Sequence, residues 1–356
     1  MEKYWSKLTK ALSPYVPGEQ PQDRKYLKLN TNENPFPPSD KVLTKVKDSV
    51  SDALRLYPDP NASRLKKAIA NYYGIKEDNV FVGNGSDEVL AFSFLAFFKD
   101  KAPLSFPDIT YSFYPVYCDI FEIESSLFSL DKDFSIDINK IPEKSGGIIF
   151  PNPNAPTGIC LNLSDIETIL HRFPNIVVIV DEAYIDFGGI SSITLTEKYP
   201  NLLVVQTFSK SRSLAGLRVG FAIGHLGLIQ ALNRVKNSFN SYPLDNLAIE
   251  GAIAAIEDNE YFTHCCEAII ETRDYLIKEL VSLSFQVLPS KANFLFVKHQ
   301  KLDAALIYRE LRENGILVRH FNKPTIDNFL RITIGKQEDM HLLVKCLKTI
   351  IDSNKI

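Results

Sequence analysis

The sequence predicts an α/β protein: a large domain with a mostly parallel central sheet flanked by helices, joined to a smaller α+β domain. Near-continuous Ile/Val runs alternate with helical patterns, as in a parallel sheet that is buried on both faces. These runs are GGIIF at 146–150, NIVVIV at 175–180 and NLLVV at 201–205. The chain of 356 residues is also longer than one hydrophobic core usually supports, which favours about two domains.

The large domain is predicted over residues 41–255. Apolar residues at helical spacing and short β-type runs define its elements. In chain order these are helices at 41–54 and 64–74, a strand at 80–83, helices at 86–98 and 164–173, and the three strands named above. Gly74 is a typical C-cap for the second helix, and Ser86 lies near the N-cap of the third.

The small domain is predicted to consist of residues 1–40 and 256–356. From about residue 244 the parallel-sheet pattern gives way to long helices and short strands. The predicted pieces are helices at 244–257, 260–283 and 303–314, a final helix, and strands in FQVL, NFLFV, ILVR and LRITIG. The proline-rich N-terminal segment is expected to complete this domain.

The composition excludes several classes of protein. The net charge of −3 provides no basic surface for nucleic acid. Five cysteines without C-x-x-C spacing, and six histidines without an i, i+4 pair, predict a reduced chain with no metal site. The N-terminus lacks the apolar core of a signal peptide, and the most apolar run, 89–98, is about half the length that spans a bilayer. We expect a soluble cytoplasmic protein without membrane contact.

Residues suited to chemistry follow four of the predicted strands. In open parallel sheets, ligands bind beyond the carboxyl ends of the strands. The segments found there are GNGSDE at 83–88, PNPNAPTG at 151–158, DEAY at 181–184 and QTFSK at 206–210. Together they contain a glycine-rich helix start, an amide, a carboxylate, a tyrosine and a lysine, which predicts a site at this edge.

Each of these features also has a structural explanation. The glycines can shape a turn, Asp181 can cap a helix, Lys210 can be solvated, and Arg218 can pair with a carboxylate. Two other cofactor classes do not fit. The third glycine of a dinucleotide fingerprint is replaced by Glu88, and an NTPase would need a G-x-x-x-x-G-K-[ST] loop that the sequence lacks.

The combination of lysine, carboxylate and phosphate-binding elements suits pyridoxal 5′-phosphate. That chemistry needs an amine to bind the cofactor aldehyde and a carboxylate to keep the ring nitrogen protonated. Lys210 and Asp181 can supply these two groups. The phosphate needs backbone N–H groups at a helix start, hydroxyls and an arginine, which can come from Gly85, Ser86, Ser209 and Arg218.

Over nearly its whole length the chain resembles the fold-type I, pyridoxal-phosphate-dependent aminotransferases of class I/II, and within them the histidinol-phosphate branch. The matching segments are LNTNENPF (29–36), LYPDP (56–60), GNGSDE, PDITYSFYPVY (107–117), PNPNAPTG, VDEAYIDF (180–187), TFSKSRSLAGLRVG (207–220), SKANFLFV (290–297) and LRITIG (330–335). The resemblance implies an aspartate aminotransferase-like fold, a homodimer, and transamination of L-histidinol phosphate with 2-oxoglutarate in histidine biosynthesis.

The resemblance also implies roles for residues around the cofactor. Lys210 would bind the cofactor covalently and Asp181 would pair with its ring nitrogen. Tyr184 would donate to the ring's phenolic oxygen, Tyr111 would stack on the ring, and Tyr57 would reach the site of the neighbouring subunit. Gly85, Ser86, Ser209 and Arg218 would hold the phosphate. The substrate would be bound by Arg331, Arg319, Tyr15 and Asn32.

One loop departs from the family pattern N-P-x-N-P-T-G. The asparagine that usually bonds the ring oxygen is replaced by Ala155, and the nearest amide is Asn154. Either Asn154 takes over this role, or Tyr184 alone bonds the oxygen.

Other activities remain open at the level of sequence. Relatives with similar motifs act on aromatic amino acids or decarboxylate threonine phosphate. A ligand-sensing regulator would need an added basic DNA-binding segment, whereas only about 40 residues, rich in Pro and Asn, precede the first predicted helix.

Overall fold

The computed structural model describes residues 2–354 as thirteen strands and eleven α-helices. The strands are β1 Leu27–Lys28, β2 Val80–Asn84, β3 Leu104–Pro107, β4 Ser125–Phe128, β5 Gly147–Pro151, β6 Val178–Asp181, β7 Leu202–Thr207, β8 Val219–Gly224, β9 Phe285–Val287, β10 Phe294–His299, β11 Ile316–Leu317, β12 Arg319–His320 and β13 Leu330–Thr333. The helices are α1 Lys7–Ala11, α2 Asp40–Asp48, α3 Ser63–Tyr73, α4 Gly85–Phe97, α5 Phe113–Phe121, α6 Leu163–Arg172, α7 Leu226–Phe239, α8 Asn246–Glu257, α9 Asn259–Ser282, α10 Ala304–Glu313 and α11 Gln337–Ser353.

The central sheet has seven strands in the order β2-β8-β7-β6-β5-β3-β4. Strands β7, β6, β5, β3 and β4 pair in parallel, whereas β8 is antiparallel to both of its neighbours. This confirms the predicted α/β class with a mostly parallel sheet. The register places Asp181 opposite Pro151 of β5 and Val205 of β7, so three strand ends meet at one edge.

Both faces of this sheet are covered by helices, which explains the continuous apolar strands. Val178 and Val180 pack into a core with α2, α3, α6 and α8. Ile179 and Leu203 point to the opposite face, where α4, α5 and α7 cover them. Because alternate residues of a strand face opposite sides, positions 178–180 of β6 and 202–205 of β7 are all apolar.

The C-terminal part contains a four-stranded antiparallel sheet in the order β12-β13-β10-β9. Residues of α9, α10 and α11 form its core with β10 and β13. Strand β1 pairs in parallel with β11, so the N-terminal segment adds to this part of the molecule. The domain boundaries given above stay a prediction.

Some elements differ from the predictions. The helix expected over 41–54 ends at Asp48, and a short 3₁₀ turn follows at Asp52–Arg55, where Ser51 caps a new start through Ala53 N–H. Strands β3, β4 and β8 and helices α5 and α7 were not among the predicted elements. The C-cap at Gly74 is confirmed by its left-handed φ of 68°.

Candidate active site

A cavity of about 200 Å³ lies at the carboxyl edge of the central sheet. Strands β5, β6 and β7, the start of α4, the N-terminal segment and the pair β12–β13 all contribute to its wall. The lining residues are Tyr15, Pro17, Gly18, Asn30, Thr31, Asn32, Ser86, Asp87, Tyr111, Pro151, Ala155, Asp181, Ala183, Tyr184, Thr207, Ser209, Lys210, Arg218, Arg319 and Arg331. Eleven of these were predicted as site residues: Tyr15, Asn32, Ser86, Tyr111, Asp181, Tyr184, Ser209, Lys210, Arg218, Arg319 and Arg331.

Lys210 lies three residues beyond the end of β7, and its amine points into the cavity wall formed by the N-terminal segment. Its Nζ donates to the carbonyl oxygen of Thr31 at 3.0 Å and lies 5.8 Å from the centre of the Tyr184 ring. A primary amine held this way by one carbonyl, beside an aromatic ring, can react with an aldehyde in the cavity.

Asp181 ends β6 and is only 4% exposed. Tyr114 donates its hydroxyl proton to Oδ2 at 3.0 Å, and the N–H of Ala183 donates to Oδ1 at 3.2 Å. Burial outweighs these two hydrogen bonds and raises the pKa of the carboxyl to about 6. A carboxylate that is desolvated to this extent is stabilised by any cation that enters the cavity, such as a protonated ring nitrogen.

The start of α4 and the arginine before β8 form a recess for an anion. Gly85 has a φ of +76°, and a Cβ built there would lie 2.5 Å from Nη2 of Arg218. Ser86 follows it in the first turn of α4, and the first N–H groups of a helix have no partner within the helix and can bind an anion. Arg218 Nη2 donates to Asp87 Oδ2 at 3.0 Å, and Nη1 to Ser209 Oγ at 3.4 Å. A side chain at position 85 would fill this recess, so it fits a phosphate group.

Tyrosines line two sides of the cavity. The hydroxyl of Tyr184 accepts a hydrogen bond from Asn32 Nδ2 at 3.0 Å. The hydroxyl of Tyr111 donates to Asp87 Oδ1 at 3.0 Å, and the Tyr15 ring lies 6.4 Å from the Tyr111 ring, centre to centre. Aromatic surface of this kind can pack against a flat heterocycle.

Two arginines on adjacent strands face the cavity from the C-terminal part. Arg319 of β12 and Arg331 of β13 are Cα partners in the register. Arg331 Nη2 donates to the carbonyl of Asn30 at 3.0 Å, and among the described residues its buried Nε has no hydrogen-bond partner. Arg319 donates to the carbonyls of Pro17 and Val16, at 3.2 and 3.1 Å. Both guanidinium groups can therefore meet an anion in the cavity.

Three predicted residues lie outside the lining of the cavity. Gly85 contributes indirectly, through the space that it leaves for Arg218. The Asn154 amide is buried behind the wall, where Nδ2 donates to the Ile109 carbonyl and the Thr157 hydroxyl, at 3.0 and 3.2 Å. Ala155 lines the cavity in its place. Tyr57 is 82% exposed and stacks on Tyr242 at 4.7 Å.

Several contacts were missed by the sequence predictions. Thr31 holds Lys210, Asn30 holds Arg331, and Asp87 joins Arg218 to Tyr111. The buried Tyr114 supports Asp181. All four lie inside segments that the family resemblance had marked, but the choice of residue within each segment depends on tertiary contacts.

Neither a membrane span nor a metal site emerges from the described residues. Within 2–354, no helix is long and apolar enough to cross a membrane. No group of three or more His, Cys, Asp and Glu side chains in the same range is arranged to hold a metal ion.

Comparisons with known proteins find one family model and relatives that match nearly the whole chain. Residues 24–347 match the family model "Aminotransferase class I and II". The chain is 53% identical over 352 residues to a histidinol-phosphate aminotransferase of Clostridium botulinum, with 99% of each chain covered. It is 57% identical over 351 residues to histidinol-phosphate aminotransferase 1 of Hydrogenovibrio crunogenus, again with 99% of each covered.

Solved structures share the fold. The histidinol-phosphate aminotransferase of Sinorhizobium meliloti, described in complex with pyridoxal-5′-phosphate, superposes with a TM-score of 0.89 at 23% identity, covering 99% of this chain and 98% of that one. The aspartate aminotransferase of Thermus thermophilus with maleate superposes with a TM-score of 0.83 at 17% identity, covering 97% and 99%. This confirms the expected aspartate aminotransferase-like architecture.

Proposed function

The chain belongs to the class I and II aminotransferases, and on that premise we propose that it transfers the amino group of L-histidinol phosphate to 2-oxoglutarate. The products would be imidazole-acetol phosphate and glutamate, in histidine biosynthesis. The enzyme depends on pyridoxal 5′-phosphate, as its family does. Close relatives that carry the histidinol-phosphate name cover essentially the whole chain, which supports this substrate.

The observation that carries the proposal is the pair Arg319 and Arg331 in the same cavity as Lys210. The amino donor bears a phosphate where 2-oxoglutarate bears a carboxylate, so one site must accept both anions. A guanidinium binds either group through two parallel N–H donors. Two such groups on adjacent strands supply the positive charge that both substrates need.

The cofactor is expected to lie between Asp181 and the recess at Gly85, Ser86, Ser209 and Arg218. When bound, pyridoxal phosphate supplies an aldehyde that reacts with amines and a ring that takes up electrons. Asp181 would keep a proton on the ring nitrogen, and the recess would hold the phosphate through backbone N–H groups, hydroxyls and a guanidinium. We assign Tyr184 to the phenolic oxygen and Tyr111 to the face of the ring.

Lys210 has two tasks in this proposal. It holds the cofactor before the reaction, and once its amine is freed by the substrate it takes the proton from the substrate α-carbon as a general base. The buried position of Asp181 and the closeness of Tyr184 to Nζ support a water-poor surrounding for this proton transfer. Arg331 and Arg319 orient the substrate, with Tyr15 and Asn32 as further contacts.

The assembly is proposed to be a homodimer in which Tyr57 reaches the neighbouring site. Tyr57 lies beside Leu54 and Leu56 on an exposed apolar surface, and each of the three side chains is at least 54% exposed. Patches of this kind mark interaction surfaces. We also propose that the enzyme acts in the cytoplasm.

A mixing experiment tests the shared site. Lys210→Ala and Tyr57→Ala variants should each be nearly inactive, while a denatured and refolded mixture should regain about a quarter of wild-type activity. About half of randomly mixed dimers pair the two variants, and each such dimer has one intact site. If the mixture stays inactive although dimers form, Tyr57 does not act across the interface.

The substrate is tested in a single half-reaction. The visible absorption band of the bound cofactor is recorded, and L-histidinol phosphate is added without a keto acid. We expect the band to disappear and 2-oxoglutarate to restore it. Loss of the band only with phenylalanine or tyrosine, or release of CO₂ from threonine phosphate, would assign the enzyme to another substrate.

Two variants test in the same half-reaction whether Arg319 binds the substrate. Arg319→Gln should raise the concentration of L-histidinol phosphate that is needed for half of the absorbance change, because one guanidinium is lost from the cavity. Arg309→Gln removes an exposed arginine of α10 and should leave that concentration unchanged. Equal behaviour of the two variants would exclude Arg319 from the site.

A further inference from the structure

Asn32 forms a buried link between Tyr184 and Thr333 of β13. Its side-chain Nδ2 donates to the Tyr184 hydroxyl at 3.0 Å, and its Oδ1 accepts the hydroxyl proton of Thr333 at 2.9 Å. Its backbone N–H donates to the same Thr333 Oγ1 at 3.1 Å. Asn32 and Thr333 are 1% and 2% exposed, so these bonds do not compete with bulk water.

The orientation of the Asn32 amide in the structure gives the direction of each proton in this link. A backbone N–H can only donate, so Thr333 Oγ1 must accept from it, and the threonine proton is free to be given to Asn32 Oδ1. With its oxygen facing Thr333, the amide presents Nδ2 to Tyr184. The tyrosine oxygen therefore accepts, and its own proton is left for an acceptor elsewhere.

The backbone at Asn32 is held as firmly as its side chain. Its φ is +57°, a left-handed conformation that asparagine tolerates better than most residues. Its carbonyl accepts from the amide of Asn293 at 3.0 Å. Contacts from three distant parts of the chain thus fix the amide beside Tyr184.

The link from Asn32 to Tyr184 matters because this chain has Ala155 at the position where the family pattern has an asparagine. Where the family has an asparagine for the ring oxygen, the chain has a methyl group, and Ala155 packs with Ala292 and Phe294 against Tyr184. The Asn154 amide is directed to Ile109 and Thr157 instead. Among the described residues, the wall around Ala155 therefore leaves Tyr184 as the donor for that oxygen.

We infer that Asn32 is a positioning residue which, backed by Thr333, keeps the Tyr184 hydroxyl proton available to the cofactor's ring oxygen. The inference rests on the cofactor and on the assignment of Tyr184 in the proposed function, but on no particular amino substrate. In this inference the N-terminal segment and β13 do more than form the wall of the cavity: they affect the pKa of the bound cofactor through Tyr184.

The test is a pH titration of the visible absorption of the bound cofactor, with no substrate present. A hydrogen bond donated to a ring oxygen favours its deprotonated form, so loss of the bond raises the apparent pKa of the absorption change. Tyr184→Phe should raise it by about 1. Asn32→Gly should raise it by about half as much, because the hydroxyl can then rotate. Glycine accepts the positive φ, which protects the fold of this variant.

The decisive measurement is the double variant. In the Tyr184→Phe background, Asn32→Gly should change the apparent pKa no further, because Asn32 acts through the hydroxyl that is already gone. The charged groups that line the cavity are the same in both backgrounds: Asp87, Asp181, Lys210, Arg218, Arg319 and Arg331. Thr333→Val should shift the apparent pKa in the same direction as Asn32→Gly. Thr333→Ser keeps the hydroxyl and should have the wild-type apparent pKa.

Two outcomes would overturn the inference. One is an unchanged apparent pKa in Asn32→Gly, and the other is an equal increase with and without the Tyr184 hydroxyl. If Thr333→Val folds poorly, the inference is still tested by the double-mutant cycle of Asn32→Gly and Tyr184→Phe. Failure of L-histidinol phosphate to react would refute the proposed substrate and would leave this titration unaffected.

Discussion

Replacing Asp181 by asparagine should change how the stability of the apoenzyme depends on pH. Burial raises the pKa of this carboxyl from 3.8 to about 6 in the folded protein. Between these values the native state binds more protons than the unfolded state, so the free energy of unfolding falls as the pH rises. The destabilisation approaches its full value once the pH lies well above the folded pKa of about 6, and it disappears once the pH lies well below 3.8.

The size of the effect follows from the two pKa values. The difference between about 6 and 3.8 corresponds to about 3 kcal/mol above pH 7, and about half of that is already present at pH 5. Asparagine carries no charge at either pH. Its own hydrogen bonds to Tyr114 and Ala183 therefore contribute a free energy of unfolding that does not change with pH. Relative to Asp181→Asn, the wild type should lose about 1 to 2 kcal/mol between pH 5 and pH 8.

The assay is urea unfolding of both apoproteins across this pH range. Asp119→Asn, a change of an exposed aspartate on α5, is the matched control and should track the wild type. With pyridoxal phosphate bound, a protonated ring nitrogen would stabilise the charged carboxylate, so the pH dependence should shrink. The Asp181→Asn holoenzyme should retain the cofactor but lose about 10²–10³ in kcat, because a preorganised charge is gone.

A stability difference that stays constant from pH 5 to pH 8 would refute the reasoning, because it would mean that Asp181 titrates alike in the folded and unfolded chains. Normal turnover by Asp181→Asn would separately refute the role that we propose for the carboxylate.

Three further variants probe the rest of the cavity. Arg331→Lys should raise KM for the amino donor about ten-fold or more, since a charged, two-pronged hydrogen bond contributes about 1.5–3 kcal/mol; steady-state kinetics with an unchanged KM would contradict this. Gly85→Ala should weaken cofactor binding at least about ten-fold, because its Cβ would lie 2.5 Å from Arg218 Nη2. Equilibrium dialysis measures the binding, with Gly315→Ala as the control. Gly315 has a similar backbone strain, with a φ of +82°, but a Cβ built there has no atom within 4 Å. Lys210→Ala should bind the cofactor without the visible band of the wild type and should show no transamination; a normal absorption spectrum would exclude Lys210 as the attachment point.

Sequence reasoning predicted that residues at the ends of strands cluster, and the structure places them in one cavity. Lys210 and Asp181 follow recognisable apolar runs of the strands β7 and β6, and the parallel register of these strands brings their ends together. It failed where the partner is remote. The hydrogen bond from Lys210 to Thr31 spans 179 residues, and no local pattern encodes how the N-terminal segment crosses the cavity.

Strand β8 was missed for a related reason. Two of its six residues are glycine, which lowers strand propensity, and its segment was interpreted through the arginine that precedes it. In the structure, a Cβ at Gly220 would lie 2.2 Å from the backbone nitrogen of Ser86. The glycine is needed because the strand passes against the start of α4, a contact that sequence alone does not reveal.

The reversed direction of β8 explains why Lys210 and Arg218, which lie close together in the chain, both reach the cavity. Strands β7 and β8 form a hairpin in which Thr207 faces Gly220, and the connection between them carries both Lys210 and Arg218. The length of this connection therefore helps to set the spacing between the Lys210 amine and the Arg218 guanidinium, which we propose bind the two ends of the cofactor. An inserted or deleted residue would change that spacing, whereas the distance between the two ends of the cofactor is fixed by its own bonds.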